Sequence, residues 1–167
     1  MLLLKELPNS RSLEKFVSRY PDLDIRAISD FVNILRAASD ISDALDRLLN
    51  QHDLLQGRWW VLVLLLREDT LTSSPTELAK KAGVTKATMT GFIDGLEREG
   101  LVTRFTHNAD GRKLMVKLTK RGLNKLDEVM PDYYRKVKAF MQVLDDSQRN
   151  SLVTDIKTLS LNIELLK

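Results

Sequence analysis

The chain has 167 residues, of which 43% are apolar and 29% are charged, a composition that supports a folded core and argues against disorder. It contains no cysteine, which excludes disulfides, thiolate metal sites and cysteine redox switches. The apolar start is too short for a signal peptide, and the longest apolar run, residues 59–66, is too short to span a bilayer. A soluble cytoplasmic protein is therefore predicted, either one compact unit or a small domain with dimerisation helices.

The N-terminal third shows apolar residues at helical spacing. A short helix is predicted over residues 13–20 and a long one from about Leu23 to Leu49. A third is predicted from about Gln56 to Arg67, where the apolar run indicates burial. The apolar stripe of the long helix consists of Ile28, Phe31, Ile34, Leu35, Ala38, Ile41, Leu45 and Leu48.

Two short helices joined by a tight turn are predicted next. The segment Ser74-Pro75-Thr76-Glu77 has the pattern of a capped helix N-terminus. Gly83 tolerates the left-handed backbone that ends a helix, and Thr85 can cap a second helix over Lys86 to about Glu99. Gly100 is expected to end that helix. The core-facing residues should be Leu78, Ala79, Ala82, Met89, Phe92, Ile93 and Leu96.

A β-hairpin pattern follows the two helices. Residues 101–106 and 114–118 are rich in β-branched, aromatic and aliphatic side chains, which predicts two strands. Residues 107–113 contain Asn, Asp and Gly and are expected to form the turn. Arg112 and Lys113 would then lie at the tip or on its descending side, from which an arginine can enter a minor groove.

The C-terminal third is predicted to be helical again. Thr119 can cap one helix, and Asp145 with Gln148 can cap a last one. Pro131 lies inside the first pattern and is expected to kink or break that helix. Helices at both chain ends cannot bury their apolar stripes on so small a lobe, so we expect a two-fold dimer. The stripes are Leu123, Leu126, Val129, Tyr133, Val137 and Phe140, and then Leu152, Ile156, Leu159 and Ile163.

Several segments combine into a specific pattern. They are Leu54, Gly57-Arg58-Trp59, Val61-Leu62, Leu78-Ala79, residues 84–90, residues 94–97, residues 100–104, Asp110-Gly111-Arg112 and Leu118-Thr119. In this combination the chain resembles the MarR family of winged-helix transcription regulators. The resemblance implies a mainly α fold with a small β-hairpin wing. A winged helix-turn-helix DNA-binding lobe over residues 54–118 would follow N-terminal dimerisation helices (1–53) and precede C-terminal ones (119–167).

The candidate DNA-binding residues are small, hydroxylated or basic side chains that can fit a groove and bond phosphates or base edges. They are Thr85, Lys86, Thr88, Thr90, Arg112 and Lys113. For Thr85 the helix cap is the first role and phosphate contact a second one. The resemblance implies that Asp110 pairs with a nearby arginine and that Arg112 contacts DNA. Arg104 either binds phosphate or is the partner of Asp110, and the pairing is favoured. Gly91 departs from the family, many of whose members carry a basic residue there.

The charge distribution agrees with a DNA-binding lobe. Residues 74–121 hold ten Lys or Arg and five Asp or Glu, a net charge of +5, whereas the remainder holds sixteen basic and eighteen acidic residues, a net charge of −2. The positive excess thus coincides with the winged-helix pattern. A solvated basic face without a ligand is the alternative.

A small-molecule effector site is a further hypothesis. Family members often bind aromatic or phenolic acids near the dimerisation helices, and His52, Arg58 and Trp59, with Trp60 beside them, could hold such an anion. The alternative is that one tryptophan belongs to the core and the basic groups are surface residues. No metal site or cofactor is expected, because the two histidines, His52 and His107, form no ligand cluster with carboxylates.

These observations predict a sequence-specific DNA-binding regulator, by resemblance a ligand-responsive repressor that acts as a homodimer on a palindromic operator. The alternative is a winged-helix module for non-specific architectural DNA binding or for protein contacts. An enzyme is not expected, since the chain lacks a phosphate loop, a GxSxG motif and a cysteine nucleophile.

Overall fold

A computed structural model of the chain describes residues 10–107 and 110–167, with the side chains of residues 13–106 and 114–167. These residues are mainly helical with one small sheet, which confirms the predicted fold class. The elements are α1 Ser10–Arg19, α2 Ile25–Asn50, α3 Gln56–Leu66, β1 Thr72–Ser73, α4 Pro75–Ala82, α5 Lys86–Arg98, β2 Val102–His107, β3 Asp110–Leu118, α6 Lys120–Met141 and α7 Asp146–Leu161, followed by a 3₁₀ turn at Ile163–Leu166.

The described residues form two compact units, one up to Trp60 and one from Val61 onwards. The domain limits expected from the sequence, after residues 53 and 118, stay predictions. In the first unit, the Asp24 side chain caps α2 by accepting a hydrogen bond from the Ala27 N–H at 3.0 Å. The Ser42 hydroxyl donates to Gln56 Oε1 at 3.1 Å and so links α2 to the start of α3.

The predicted buried helix at residues 59–66 lies within α3. Four of its side chains have no exposed surface: Trp59, Val61, Leu62 and Leu65. All eight residues from 59 to 66 are apolar, and a helix that is apolar on most sides is typically buried on most sides. Trp60 lies on the more open side and is 39% exposed. Within the described parts of the chain, no helix has both the length and the apolar composition that crossing a membrane requires.

Helices α4 and α5 form the predicted helix-turn-helix. The Ser74 side chain accepts a hydrogen bond from the Glu77 N–H at 3.2 Å and caps α4. Gly83 ends α4 with a φ of +65°, a left-handed backbone that a side chain would strain. The core-facing prediction is confirmed for Leu78, Ala79, Met89, Ile93 and Leu96, which are buried, whereas Ala82 and Phe92 are half-buried.

The wing is a three-stranded antiparallel sheet in the order β1-β3-β2, not the predicted hairpin alone. The two-residue strand β1 pairs Thr72 with Lys117 and is too short to produce an alternating sequence pattern. The predicted turn over residues 107–113 was too long, because β3 already begins at Asp110 and extends through Arg112 and Lys113. The register pairs Asp110 with His107 and Leu114 with Thr106, so the ladder is irregular between these two pairs.

The two C-terminal helices begin at their predicted caps. The Thr119 side chain accepts a hydrogen bond from the Gly122 N–H at 3.0 Å. Asp145 and Gln148 cap α7 reciprocally, each side chain accepting from the other residue's N–H, at 2.8 and 3.0 Å. The alternative of a break at Pro131 is wrong, since α6 continues through it to Met141. Pro131 is exposed, so water can bind the carbonyl group that loses its helical donor.

Gly122 lies where α6 leaves the lobe, and its lack of a side chain allows a close approach. A Cβ atom at this buried position would lie 2.2 Å from the Leu101 carbonyl oxygen and 2.7 Å from Leu118 Cδ1. The Thr119 hydroxyl lies 2.8 Å from the Gly100 carbonyl oxygen and 3.0 Å from that of Leu101, to which it donates. Backbone contacts at this junction therefore fix the start of α6 against the end of α5.

We expect Gly122→Ala to lower the free energy of unfolding by at least about 1–3 kcal/mol, the usual cost of overpacking a filled site. Gly91→Ala is the matched control, because a Cβ atom there meets nothing within 4 Å and alanine favours a helix by roughly 0.5–1 kcal/mol. Urea denaturation followed by circular dichroism at one protein concentration measures both. A Gly122 variant as stable as the parent would show that the junction can widen without cost.

Candidate nucleic-acid interface

Helix α5 is buried on one side and open on the other. Met89, Ile93 and Leu96 recur at intervals of three and four residues and anchor the helix in the core. The opposite side is exposed from the helix N-terminus to its middle, at Thr85, Lys86, Ala87, Thr88, Thr90 and Gly91. The four predicted DNA-binding residues of this helix and its cap are thus all exposed, and they lie within the first turn and a half.

The threonine hydroxyls on this face are engaged within the helix itself. Thr85 Oγ1 accepts a hydrogen bond from the Thr88 N–H at 3.1 Å and lies 2.9 Å from Thr88 Oγ1. Thr90 Oγ1 donates to the Lys86 carbonyl oxygen at 2.9 Å. Thr85 therefore has its predicted role as a cap, whereas phosphate contact by this residue stays a prediction.

Arg104 on β2 connects the wing to α5. Its guanidinium forms ion pairs with Asp94, at 2.5 Å from Nη2 to Oδ1, and with Glu97. The Arg104 backbone N–H also donates to Glu97 Oε1 at 2.9 Å. The sequence reasoning missed both carboxylates, although two acidic residues three positions apart on a helix share one face and can converge on a single cation.

Partial burial disfavours the charge on Arg104, but its hydrogen bonds to Asp94 and Glu97 outweigh that effect and raise the pKa of Arg104 above its usual range. The side chain is 21% exposed, so this cation sits largely within the lobe. It supports the geometry of the wing and offsets one of the two negative charges that Asp94 and Glu97 place beside the exposed face of α5.

The wing residues predicted for this site lie at the far end of the hairpin. Asp110 is opposite His107 in the strand register, whereas Arg104 is opposite Val116. The side chains of Asp110, Arg112 and Lys113 lie outside the described residues. Pairing of Arg104 with Asp110, and DNA contact by Arg112 and Lys113, therefore stay predictions.

The residues predicted for an effector differ in burial. Trp59 has no exposed surface, His52 and Arg58 are half-buried, and Trp60 is exposed. Full burial of one tryptophan agrees with the alternative that it serves the core, so the effector site stays a prediction. Among the residues that the structure describes, no group of three or more His, Asp or Glu is placed to hold a metal ion.

The sequence and the structure of this chain were compared with those of known proteins, and both comparisons find transcription regulators. A sequence model of the MarR family matches residues 54–114. The HTH-type transcriptional repressor YetL of Bacillus subtilis (strain 168) is 31% identical over 150 residues, which cover 90% of this chain and 90% of that protein.

Two solved structures from Streptomyces coelicolor share the fold. Sco3205, a MarR family transcriptional regulator crystallised in complex with DNA, is 25% identical, with a TM-score of 0.77 over 84% of this chain and 93% of that one. AbsC, another MarR family transcriptional regulator, is 21% identical, with a TM-score of 0.78 over 85% of this chain and 97% of that one. The likeness to AbsC concerns the fold alone.

We expect Arg104→Met to weaken binding to a mixed-sequence DNA duplex about tenfold, on the order of one close charge interaction near a protein surface. The variant leaves Asp94 and Glu97 uncompensated beside the exposed face of α5. The free energy of unfolding should fall by only about 1 kcal/mol or less, because the ion pairs are partly exposed. Fluorescence anisotropy at fixed salt measures the binding.

The triple variant Arg104→Met, Asp94→Asn, Glu97→Gln is the control for this prediction. It should recover most of the affinity, since it removes the two uncompensated carboxylates together with the cation. A triple variant as weak as the single one would show that Arg104 acts on DNA directly.

Proposed function

The chain belongs to the MarR family of transcription regulators, and we propose that it is a sequence-specific repressor that binds a palindromic operator as a homodimer. One observation carries the DNA-binding part: the N-terminal half of α5 is exposed, while its opposite face is buried in the lobe. A helix held in this way can enter a major groove with its N-terminal residues. The DNA complex of the similar Sco3205 supports the same role, and the name of YetL supports repression.

Support for a homodimer comes from apolar side chains that remain exposed. Helix α7 has 16 residues and none of them is buried. A helix of this length without a covering surface is marginal in water. Its exposed apolar residues include Leu152, Val153, Ile156 and Leu159, and α2 adds Ile28, Phe31, Ile34, Leu35 and Ile41. Faces of this kind mark an interface, and a second copy of the chain supplies the same faces about a two-fold axis.

A two-fold dimer explains why the operator should be palindromic. Each copy contributes one α5, and the two copies read the same bases on half-sites related by the dimer axis. For helix-turn-helix dimers the half-sites are about 34 Å apart, one turn of the duplex. The spacing between half-sites is therefore set by the protein interface as much as by the DNA-reading helix.

We expect Ile156→Glu to raise the dissociation constant of the dimer at least about tenfold, because it places an unpaired charge in an apolar interface. Thr154→Glu introduces the same charge two residues away, on the opposite side of α7, and should change the dissociation constant little. Light scattering across micromolar protein concentrations measures the mass. A parent protein that is monomeric throughout would contradict the homodimer.

Selection from random DNA duplexes at near-physiological salt, with sequencing of the bound fraction, tests the proposed function. We expect one palindromic motif to be enriched. Uniform recovery would favour the architectural alternative.

Arg112→Ala should weaken binding to the enriched duplex and reduce the slope of log affinity against log salt by about 0.9, the effect of losing one phosphate contact. An unchanged affinity would show that this wing residue does not touch DNA.

We also propose that a small aromatic or phenolic acid regulates the repressor. The support is the presence of two half-buried basic side chains, His52 and Arg58, close in sequence to Trp59 and Trp60. Ligand binding would favour a dimer geometry whose α5 helices are wrongly spaced for the operator, so it would shift a population between two states. Titration of tryptophan fluorescence with a panel of such acids tests this, and no response to any of them would count against it.

A further inference from the structure

We propose that α5 recognises thymine methyl groups in the major groove, through the methyl groups of Ala87, Thr88 and Thr90 and the bare backbone of Gly91. The inference rests on the proposed function and names the base chemistry that this helix reads. The thymine C5-methyl group is the one apolar feature that a base pair presents in the major groove, and Ala and Thr methyl groups are suited to contact it.

The hydroxyl groups of Thr88 and Thr90 form hydrogen bonds within α5 and its cap. Thr90 Oγ1 donates its only O–H to the Lys86 carbonyl oxygen at 2.9 Å, so it cannot donate to a base edge while that bond lasts. Thr88 Oγ1 is held 2.9 Å from Thr85 Oγ1, and one of their two O–H groups is used between them. Both side chains are nevertheless exposed, and the methyl group of each is free of these hydrogen bonds.

The exposed side of α5 carries small residues where it would meet the DNA. Ala87 and Gly91 are four residues apart and hence lie one above the other on the helix. Both are exposed, and Gly91 has open space where a Cβ atom would be. With no long side chain between the helix backbone and the DNA, α5 can approach the base edges closely enough for methyl–methyl contact.

The N-terminal half of α5 has few side chains that recognise bases by hydrogen bonds. Of the side chains that recognise guanine or adenine by paired hydrogen bonds, which are Arg, Lys, Asn and Gln, residues 85–93 contain only Lys86. Asp94, the next exposed polar residue along the face, is paired through Oδ1 with Arg104, which draws its carboxylate toward the wing. Lys86 is the one cation of the stretch and lies at the first position of the helix, where it suits a phosphate.

The test uses the full chain and the most enriched duplex from the random-sequence selection. Each thymine is replaced singly by deoxyuridine, which removes the C5-methyl group and leaves every base-pairing donor and acceptor in place. We expect an approximately three- to fivefold loss of affinity at one or two positions in each half-site, the effect of exposing one methyl group that had been buried. At the other thymine positions the affinity should not change.

Paired protein variants assign the effect to a side chain. Thr88→Ser and Thr90→Ser remove the methyl group and keep the hydroxyl, whereas Thr88→Val and Thr90→Val keep a methyl group and remove the hydroxyl. A serine variant should bind the thymine and deoxyuridine duplexes equally at its own contact, and the valine variant should still prefer thymine. A valine variant that loses this preference would overturn the assignment to the methyl group.

The outcomes separate this inference from the function on which it rests. If one motif is enriched but deoxyuridine binds as well as thymine at every position, the methyl reading is wrong and the sequence-specific function stands. If no motif is enriched, the proposed function fails and the inference fails with it.

Discussion

The close contact between Gly122 and the carbonyl group of Leu101 determines how the DNA-binding lobe is built. Leu101 lies in the short connection between α5, which ends at Arg98, and β2, which begins at Val102, so one contact joins α5, the wing and α6. The Thr119 hydroxyl adds hydrogen bonds to the same short segment. Arg104 closes the arrangement from the wing side by binding two carboxylates of α5. These contacts therefore hold the C-terminal half of α5 against the wing and α6. The exposed side of its N-terminal half is left open to solvent or to DNA.

The lobe and the flanking helices are stabilised in different ways. The lobe has its own core, in which Leu78, Met89, Ile93 and Leu96 are fully buried. By contrast, α7 and most of α2 leave their apolar residues exposed, and in the proposed dimer a second chain would cover them. In that dimer, the flanking helices would gain their stability when the two copies associate, so both their stability and dimer formation would depend on protein concentration.

Local sequence signals predicted most of the helices, and non-local pairing accounts for what they missed. Caps such as Ser74, Thr85, Thr119 and Asp145 act within three residues of their own position, so the chain order alone reveals them. Strand β1 depends on pairing with β3, more than forty residues later, and two residues carry no periodicity of their own. The partners of Arg104 lie seven and ten positions away on a helix packed against the sheet, and only that packing brings the charges together.

Gly91 has a consequence for how this regulator can diverge. Most positions that contact a ligand are also constrained by neighbouring side chains, so a change of specificity disturbs the fold. At Gly91 there is space for a side chain, the position is exposed, and glycine is among the poorest helix formers. On the proposed DNA-reading face, a single codon change at Gly91 would therefore add a side chain without loss of stability. Under the proposed function, a duplicated copy of the gene with such a change would acquire a different DNA preference and keep the same buried core.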